Sequence, residues 1–259
     1  MSQTIPTAEP FLFPGRSGAP GCVLIHGFTS TPKEMRWMGE YLNRQGFSAL
    51  GVRLAGHATR PEDLIRARVP DWLVSVEDGY HLLRGLTDTI FLVGLSIGGA
   101  LSLLMSTQLD VAGVVAMSTP YPRRGDALMR FARPLSLVWR SLPKAEGSQG
   151  SGGWLGDARK QHVAYPSYPF RAVCEVAYLM ELMRRALPLV KVPVLLIQSR
   201  DDHPVIRDSM VKVYAGLGTS DKSMLWVEGS GHTLTEEPQR EKVFQAATDF
   251  ILRVRQAGL

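Results

Sequence analysis

Residues 90–105 read Ile90-Phe91-Leu92-Val93-Gly94-Leu95-Ser96-Ile97-Gly98-Gly99-Ala100-Leu101-Ser102-Leu103-Leu104-Met105, and this run decides the fold. Its first part is a continuous apolar stretch, short enough for a strand buried on both faces. Its second part is rich in helix formers. At the junction Gly94-Leu95-Ser96-Ile97-Gly98 spells G-x-S-x-G, the pattern of a nucleophile elbow. In such an elbow a strand turns sharply into a helix and holds one serine at the tip in a strained backbone conformation. The glycines two before and two after Ser96 answer a steric need, because a Cβ at either place would collide with neighbouring backbone.

A rival reading must be weighed. No residue from Thr89 to Leu109 is charged, and Gly94 and Gly98 also spell G-x-x-x-G, a membrane-helix pairing pattern. Gly98-Gly99 suits the middle of a free helix poorly, and Ser102, Ser106, Thr107 and Gln108 make the second half amphipathic. A buried strand running into a half-buried helix explains the missing charges equally well.

Strand and helix patterns alternate on both sides of this run. Phe11–Phe13, Cys22–Ile25, Phe47–Leu54, Ile90–Leu95, Val111–Met117, Pro193–Gln198 and Ser223–Val227 read as strands. Thr31-Pro32 opens a helix with Met35, Met38 and Leu42 at helical spacing. Asp71-Trp72 opens another, whose Trp72, Val76, Tyr80, Leu83 and Leu86 form one apolar stripe. Pro204–Ala215 and Gln239–Val254 complete the series. The alternation predicts an α/β fold with a mainly parallel sheet covered on both faces.

Between Pro120 and Pro188 the rhythm breaks: prolines flank helical pieces, and residues 147–153 form a flexible GSQGSGG run. We read 1–120 and 189–259 as the core and 121–188 as an inserted helical cap, with Phe170–Arg185 its clearest helix. The cap carries eleven Lys and Arg against five Asp and Glu, a skew read as a solvated face ahead of attraction to anionic lipid or substrate. Leu135, Leu137, Trp139, Tyr178, Leu179 and Met183 would suit an acyl tunnel or pack the cap on the core.

A serine hydroxyl needs an adjacent base, and the base an orienting acid. On a sheet of this kind the chain order should be Ser, acid, His, each after its own strand. His232 in Gly229-Ser230-Gly231-His232-Thr233 follows the last predicted strand, where the base should be. Asp201 and Asp202 both qualify as the acid. Asp202 is preferred, having a small residue three before it and Val205 three after it. His203 abuts the acid and precedes Pro204, a poor position for a base. An oxyanion needs two backbone N–H donors. Ile97, at a helix N-terminus, offers one, and Phe28 in His26-Gly27-Phe28 the other, with Gly27 and the Phe28 ring against the substrate. His26 reads as a hydrogen-bonder that fixes this loop, His57 as a turn stabiliser, and His81 and His162 as solvent or cap residues.

The chain has 259 residues, 45% hydrophobic and 20% charged, enough for one large soluble domain. Its net charge of +5 comes without Lys/Arg runs or basic-aromatic interleaving, so no nucleic-acid surface is expected. No metal-ligand spacing and no nucleotide motif occurs, and no cofactor is expected. The amino terminus lacks the features of a signal peptide. Cys22 and Cys174 read as reduced thiols of a cytoplasmic protein.

With these landmarks the sequence resembles the α/β-hydrolases, above all the small bacterial carboxylesterases and monoacylglycerol lipases. The resemblance rests on LIHGFTSTPKEM (24–35), GLSIGG (94–99), IQSRDDHPV (197–205) and EGSGHTLTEE (228–237), and also on RLAGHATRPEDL (53–64) and PDWLVSVEDGYHLL (70–83). Ala58 departs from the family, where Gly often closes a G-H-G turn. The resemblance implies an α/β-hydrolase fold and hydrolysis of short- to medium-chain acyl esters, monoacylglycerols among them, through an acyl-enzyme on Ser96. Thioester or C–C bond hydrolysis by the same triad, and ligand binding without catalysis, are the alternatives. The expected partner is a small-molecule ester, with no stable membrane insertion and a monomer or weak homo-oligomer.

Overall fold

Nine strands and seven helices are placed by a computed structural model that describes residues 3–122, 129, 134–136, 140–144, 161–205 and 207–257. In chain order the strands are β1 (Phe11–Phe13), β2 (Gly21–Ile25), β3 (Ser48–Val52), β4 (Ile90–Leu95), β5 (Gly113–Met117), β6 (Ser141–Pro143), β7 (Ser167–Pro169), β8 (Val194–Ser199) and β9 (Lys222–Val227). The helices are α1 (Arg36–Arg44), α2 (Pro61–Arg66), α3 (Val69–Arg84), α4 (Ile97–Met105), α5 (Phe170–Ala186), α6 (Ser209–Gly216) and α7 (Arg240–Ala257).

Seven strands form one sheet in the order β1-β3-β2-β4-β5-β8-β9, parallel throughout except for the antiparallel edge strand β1. The inner strands are buried at every position and mostly apolar, because both faces are covered. Their two-residue period sorts side chains onto opposite faces. Val23, Ile25, Leu92, Val114, Ala116, Val194 and Leu196 meet α3, α4, α5 and α6 on one face. Cys22, Leu24, Phe91, Val93, Val115, Met117, Leu195 and Ile197 meet α1 and α7 on the other. Fully burying a side chain of the size of Leu24 or Phe91 contributes about 1.5–3 kcal/mol, so this two-sided packing is what holds the central strands. The uncharged run that resembled a membrane helix is therefore β4 and α4 inside a globular core. Among the described residues no helix is long and apolar enough to cross a membrane.

Several expected boundaries moved. The helix expected from Pro32 begins as a 3-10 turn, Pro32–Met35, before α1, and α3 starts at Val69 rather than Asp71. Leu86 falls past the end of α3 and is 53% exposed, so it does not belong to the buried stripe of Trp72, Val76, Tyr80 and Leu83. The helix expected from Pro204 starts only at Ser209, because His203, Pro204 and Val205 bend beside Asp202 and Arg207 and Asp208 form a turn. α2 was not expected, although Arg60-Pro61 places Pro in its first turn and Glu62 and Asp63 suit a helix N-terminus.

Sequence order reverses across the β2–β4 pair: β3 and β1 lie to one side, β5, β8 and β9 to the other. The carboxyl ends of β2 and β4 thus flank the crevice where ligands bind in sheets of this kind. Between β5 and β8 the chain leaves the sheet. There β6 and β7 pair as a small antiparallel ribbon, and α5 lies across α4. Of the residues considered for an acyl tunnel, Leu179 and Met183 are buried in the core, Leu135 and Tyr178 are exposed, and Leu137 and Trp139 lie outside the described residues. Residues 147–153 lie outside them too.

Candidate active site

Ser96 follows β4 directly, and its backbone sits at φ 58° and ψ −117°, a region where a side chain is strained. Close approach on all sides enforces this turn. A Cβ on Gly94 would overlap the backbone of Gly98, and one on Gly98 would overlap the carbonyl of Ile25. The Ser96 N–H donates to the Met117 carbonyl at 2.8 Å, which continues the β4–β5 ladder into the elbow. Ile97 opens α4, so its N–H belongs to the first turn, which has no intrahelical acceptor.

The loop after β2 is pinned from both sides. His26 Nδ1 lies 2.9 Å from the Gly27 carbonyl, and the Leu54 N–H donates to His26 Nε2 at 3.3 Å. Together these demand a neutral imidazole with its proton on Nδ1. Burial agrees, pushing the His26 pKa down to about 4. His57 lies edge-on with ring centres 5.0 Å away, and burial holds it well below the usual histidine range as well. Both histidines have the structural roles read from the sequence. On the other side the Gly27 N–H donates to Glu34 Oε2 at 2.7 Å. With both polar groups of Gly27 engaged, the Phe28 N–H is left without a protein acceptor among the described residues.

His232 and Asp202 converge from the loops after β9 and β8. His232 Nδ1 lies 3.1 Å from each carboxylate oxygen of Asp202, whose side chain is fully buried. The Val205 N–H donates to Asp202 Oδ1 at 3.1 Å, which ties the turn after Asp202 to its carboxylate. Asp201 instead accepts the Gly229 N–H at 2.8 Å and braces the base of the histidine loop. His203 is exposed, and His81 is exposed on α3. Burial alone would lower the His232 pKa, but the charge and hydrogen bond of Asp202, with Glu34 and Glu237 behind it, raise it above the ordinary value.

Ser96, Ile97, Gly27, Phe28 and His232 all line one cavity of about 200 Å³. Among the further lining residues not expected there are Glu34, Lys144 and His162. His162 is not a solvent residue. Its Nδ1 lies 2.6 Å from Glu236 Oε2, and both side chains are 4% exposed. Burial opposes its charge, yet the hydrogen bond and charge of Glu236 raise its pKa. Tyr168 stacks on Phe28 with ring centres 5.9 Å apart and planes 6° apart. Among the described residues no group of His, Cys, Asp and Glu is arranged to hold a metal ion. Cys22 and Cys174 are buried and form no disulfide.

A histidine held by a buried carboxylate, a strained serine and a loop with an uncommitted backbone N–H gather around one cavity, and known proteins resemble the whole chain. Residues 20–239 match the family described as serine aminopeptidase, S33. The chain belongs to this α/β-hydrolase family. It is 30% identical to a carboxylesterase of Bacillus subtilis (strain 168), over 95% of this chain and 96% of that one. It is 29% identical to a thermostable monoacylglycerol lipase of Bacillus sp. (strain H-257), over 98% and 99%. A solved structure from work on two metagenome-derived lipolytic enzymes, LipS and LipT, superposes with a TM-score of 0.83 at 30% identity, covering 97% of this chain and all of that one. The chain is thus an esterase-like serine hydrolase of the α/β-hydrolase fold.

Proposed function

We propose that the protein is a carboxylesterase that cleaves short- to medium-chain acyl esters, monoacylglycerols among them, through an acyl-enzyme. The observation that carries this reading is the single cavity onto which Ser96, His232 and the oxyanion-loop residue Phe28 open, with Asp202 bound behind His232. Ser96 Oγ attacks the ester carbonyl as His232 takes its proton, and the alcohol leaves after receiving that proton back. Water, deprotonated by the same imidazole, then releases the acid and regenerates Ser96. Asp202 keeps the His232 proton on Nδ1, leaving Nε2 to act as base, and stabilises the imidazolium that forms. The N–H groups of Phe28 and Ile97 hold the oxyanion of each tetrahedral intermediate.

Residues 121–188 act as a cap over this site, because Lys144, His162, Ala164, Tyr168 and Val176 from that segment line the cavity. The family description names a peptidase, but an ester substrate is favoured by the two relatives that match nearly the whole chain. Turnover of p-nitrophenyl esters of increasing acyl length, run beside acyl-CoA and monoacylglycerol, tests the reading. Ester hydrolysis should exceed thioester hydrolysis, and a fluorophosphonate should label Ser96. Undiminished ester hydrolysis by Ser96→Ala would refute it.

A further inference from the structure

Lys144 is, among the described residues, the only lysine or arginine on the lining of the cavity that holds Ser96. It reaches there from the end of β6, and its Nζ donates to Thr29 Oγ1 at 2.8 Å while lying 4.9 Å from the centre of the Tyr168 ring. An ammonium has three donors, so this geometry leaves donor capacity facing the cavity. Among the described residues no carboxylate lies within 4.0 Å of it, although Glu34 acts on it from further away. A partly desolvated cation of this kind gains most from an anion brought to it in the same dry space. The remaining lining is largely apolar, including Phe28, Ala164, Val176 and Val205, which suits a short chain beside one charge.

We propose that Lys144 anchors an anionic group of the substrate, so that the site takes acyl esters bearing a carboxylate a few bonds from the scissile carbonyl. This rests on the reading of Ser96 as the esterase nucleophile. Other titratable groups face the same space. Glu34 stands on the turn after the oxyanion loop, His162 is bound to Glu236, His232 is bound to Asp202, and the Tyr168 ring lies beside the ammonium. Burial raises the Glu34 pKa above the ordinary carboxylate value. Burial also pulls the Lys144 pKa down to about 8, so preference for anionic esters should fade above that pH.

The test compares ester pairs matched in size: ethyl hexanoate with monoethyl adipate, and sec-butyl butanoate with the butanoyl ester of lactate. Lys144→Met should lower kcat/KM at least tenfold for at least one anionic ester, mainly through KM, while both neutral esters change less than threefold. Lys144→Arg should keep most of the preference. Equal loss on neutral and anionic esters, or no loss on either anionic ester, would overturn the assignment. A wild-type protein inactive on all four esters would instead overturn the esterase reading, and this inference with it.

Discussion

Replacing Ser96 by glycine should end turnover and yet stabilise the fold, whereas replacing it by alanine should end turnover and leave stability nearly unchanged. The difference follows from the backbone at φ 58° and ψ −117°, where any side chain is strained and glycine is not. Strain of this kind costs about 1–3 kcal/mol, and the glycine variant recovers it. Against that gain, glycine makes the unfolded chain more flexible, which offsets about 0.4–1 kcal/mol. The alanine variant keeps the Cβ and therefore the strain, losing only the hydroxyl. Glycine should exceed alanine by about 1–2 kcal/mol, or ~2–8 °C in Tm for a chain of this size. Equilibrium urea denaturation of the three proteins, followed by tryptophan fluorescence, measures it. If Ser96→Gly is no more stable than Ser96→Ala, the elbow is not strained and the reasoning fails, whatever happens to activity.

Asp202→Asn should lower kcat by roughly 10³–10⁴-fold, since the histidine tautomer is no longer enforced, while Asp201→Asn should cost less than tenfold. The opposite ranking in steady-state kinetics would transfer the acid role to Asp201. Because the His232 pKa is raised and the base must be neutral, kcat/KM should fall with decreasing pH through an apparent pKa above 6.5. Glu34→Gln should shift that limb to lower pH with modest loss of kcat, and Glu34→Ala, which strands the buried Gly27 N–H, should cost kcat at least tenfold. A limb that stays in place in Glu34→Gln would remove Glu34 from the electrostatics of His232. Burial pushes the Glu237 pKa up from 4.5 to about 7, so the folded state keeps a proton that the unfolded state has already released. The stability held below pH 4.5 is therefore lost as pH rises to about 7, by about 3 kcal/mol. Glu237→Gln should flatten this slope in urea denaturation at pH 5 and pH 8, and parallel slopes would contradict the assignment.

Much of the fold was legible because local patterns carried it. Strands buried on both faces left continuous apolar runs, and the steric demands of the elbow left glycines flanking Ser96. The order of serine, acid and histidine loops placed each candidate after a strand, and a parallel sheet gathers all strand ends of one sense at one edge. Asp202 could be preferred over Asp201 on its spacing from Ser199 and Val205, and in the fold the Val205 N–H donates to it.

Other features had no local signature. Glu34 is a buried acid on a helical turn otherwise marked by methionines, and only its partner seven residues earlier, Gly27, explains it. Read along the chain, His162 looked like one more polar cap residue, until Glu236 from the histidine loop met it across 74 positions. Lys144 was lost in a basic segment whose excess of charge looked like solvated surface. Sequence alone determined the sheet, the elbow and the candidate residues on it, because backbone period and turn sterics act between near neighbours. Tertiary structure decided which acids, histidines and lysines face the cavity. Desolvation and charge pairing depend on what the fold brings together in space, and no spacing along the chain records that.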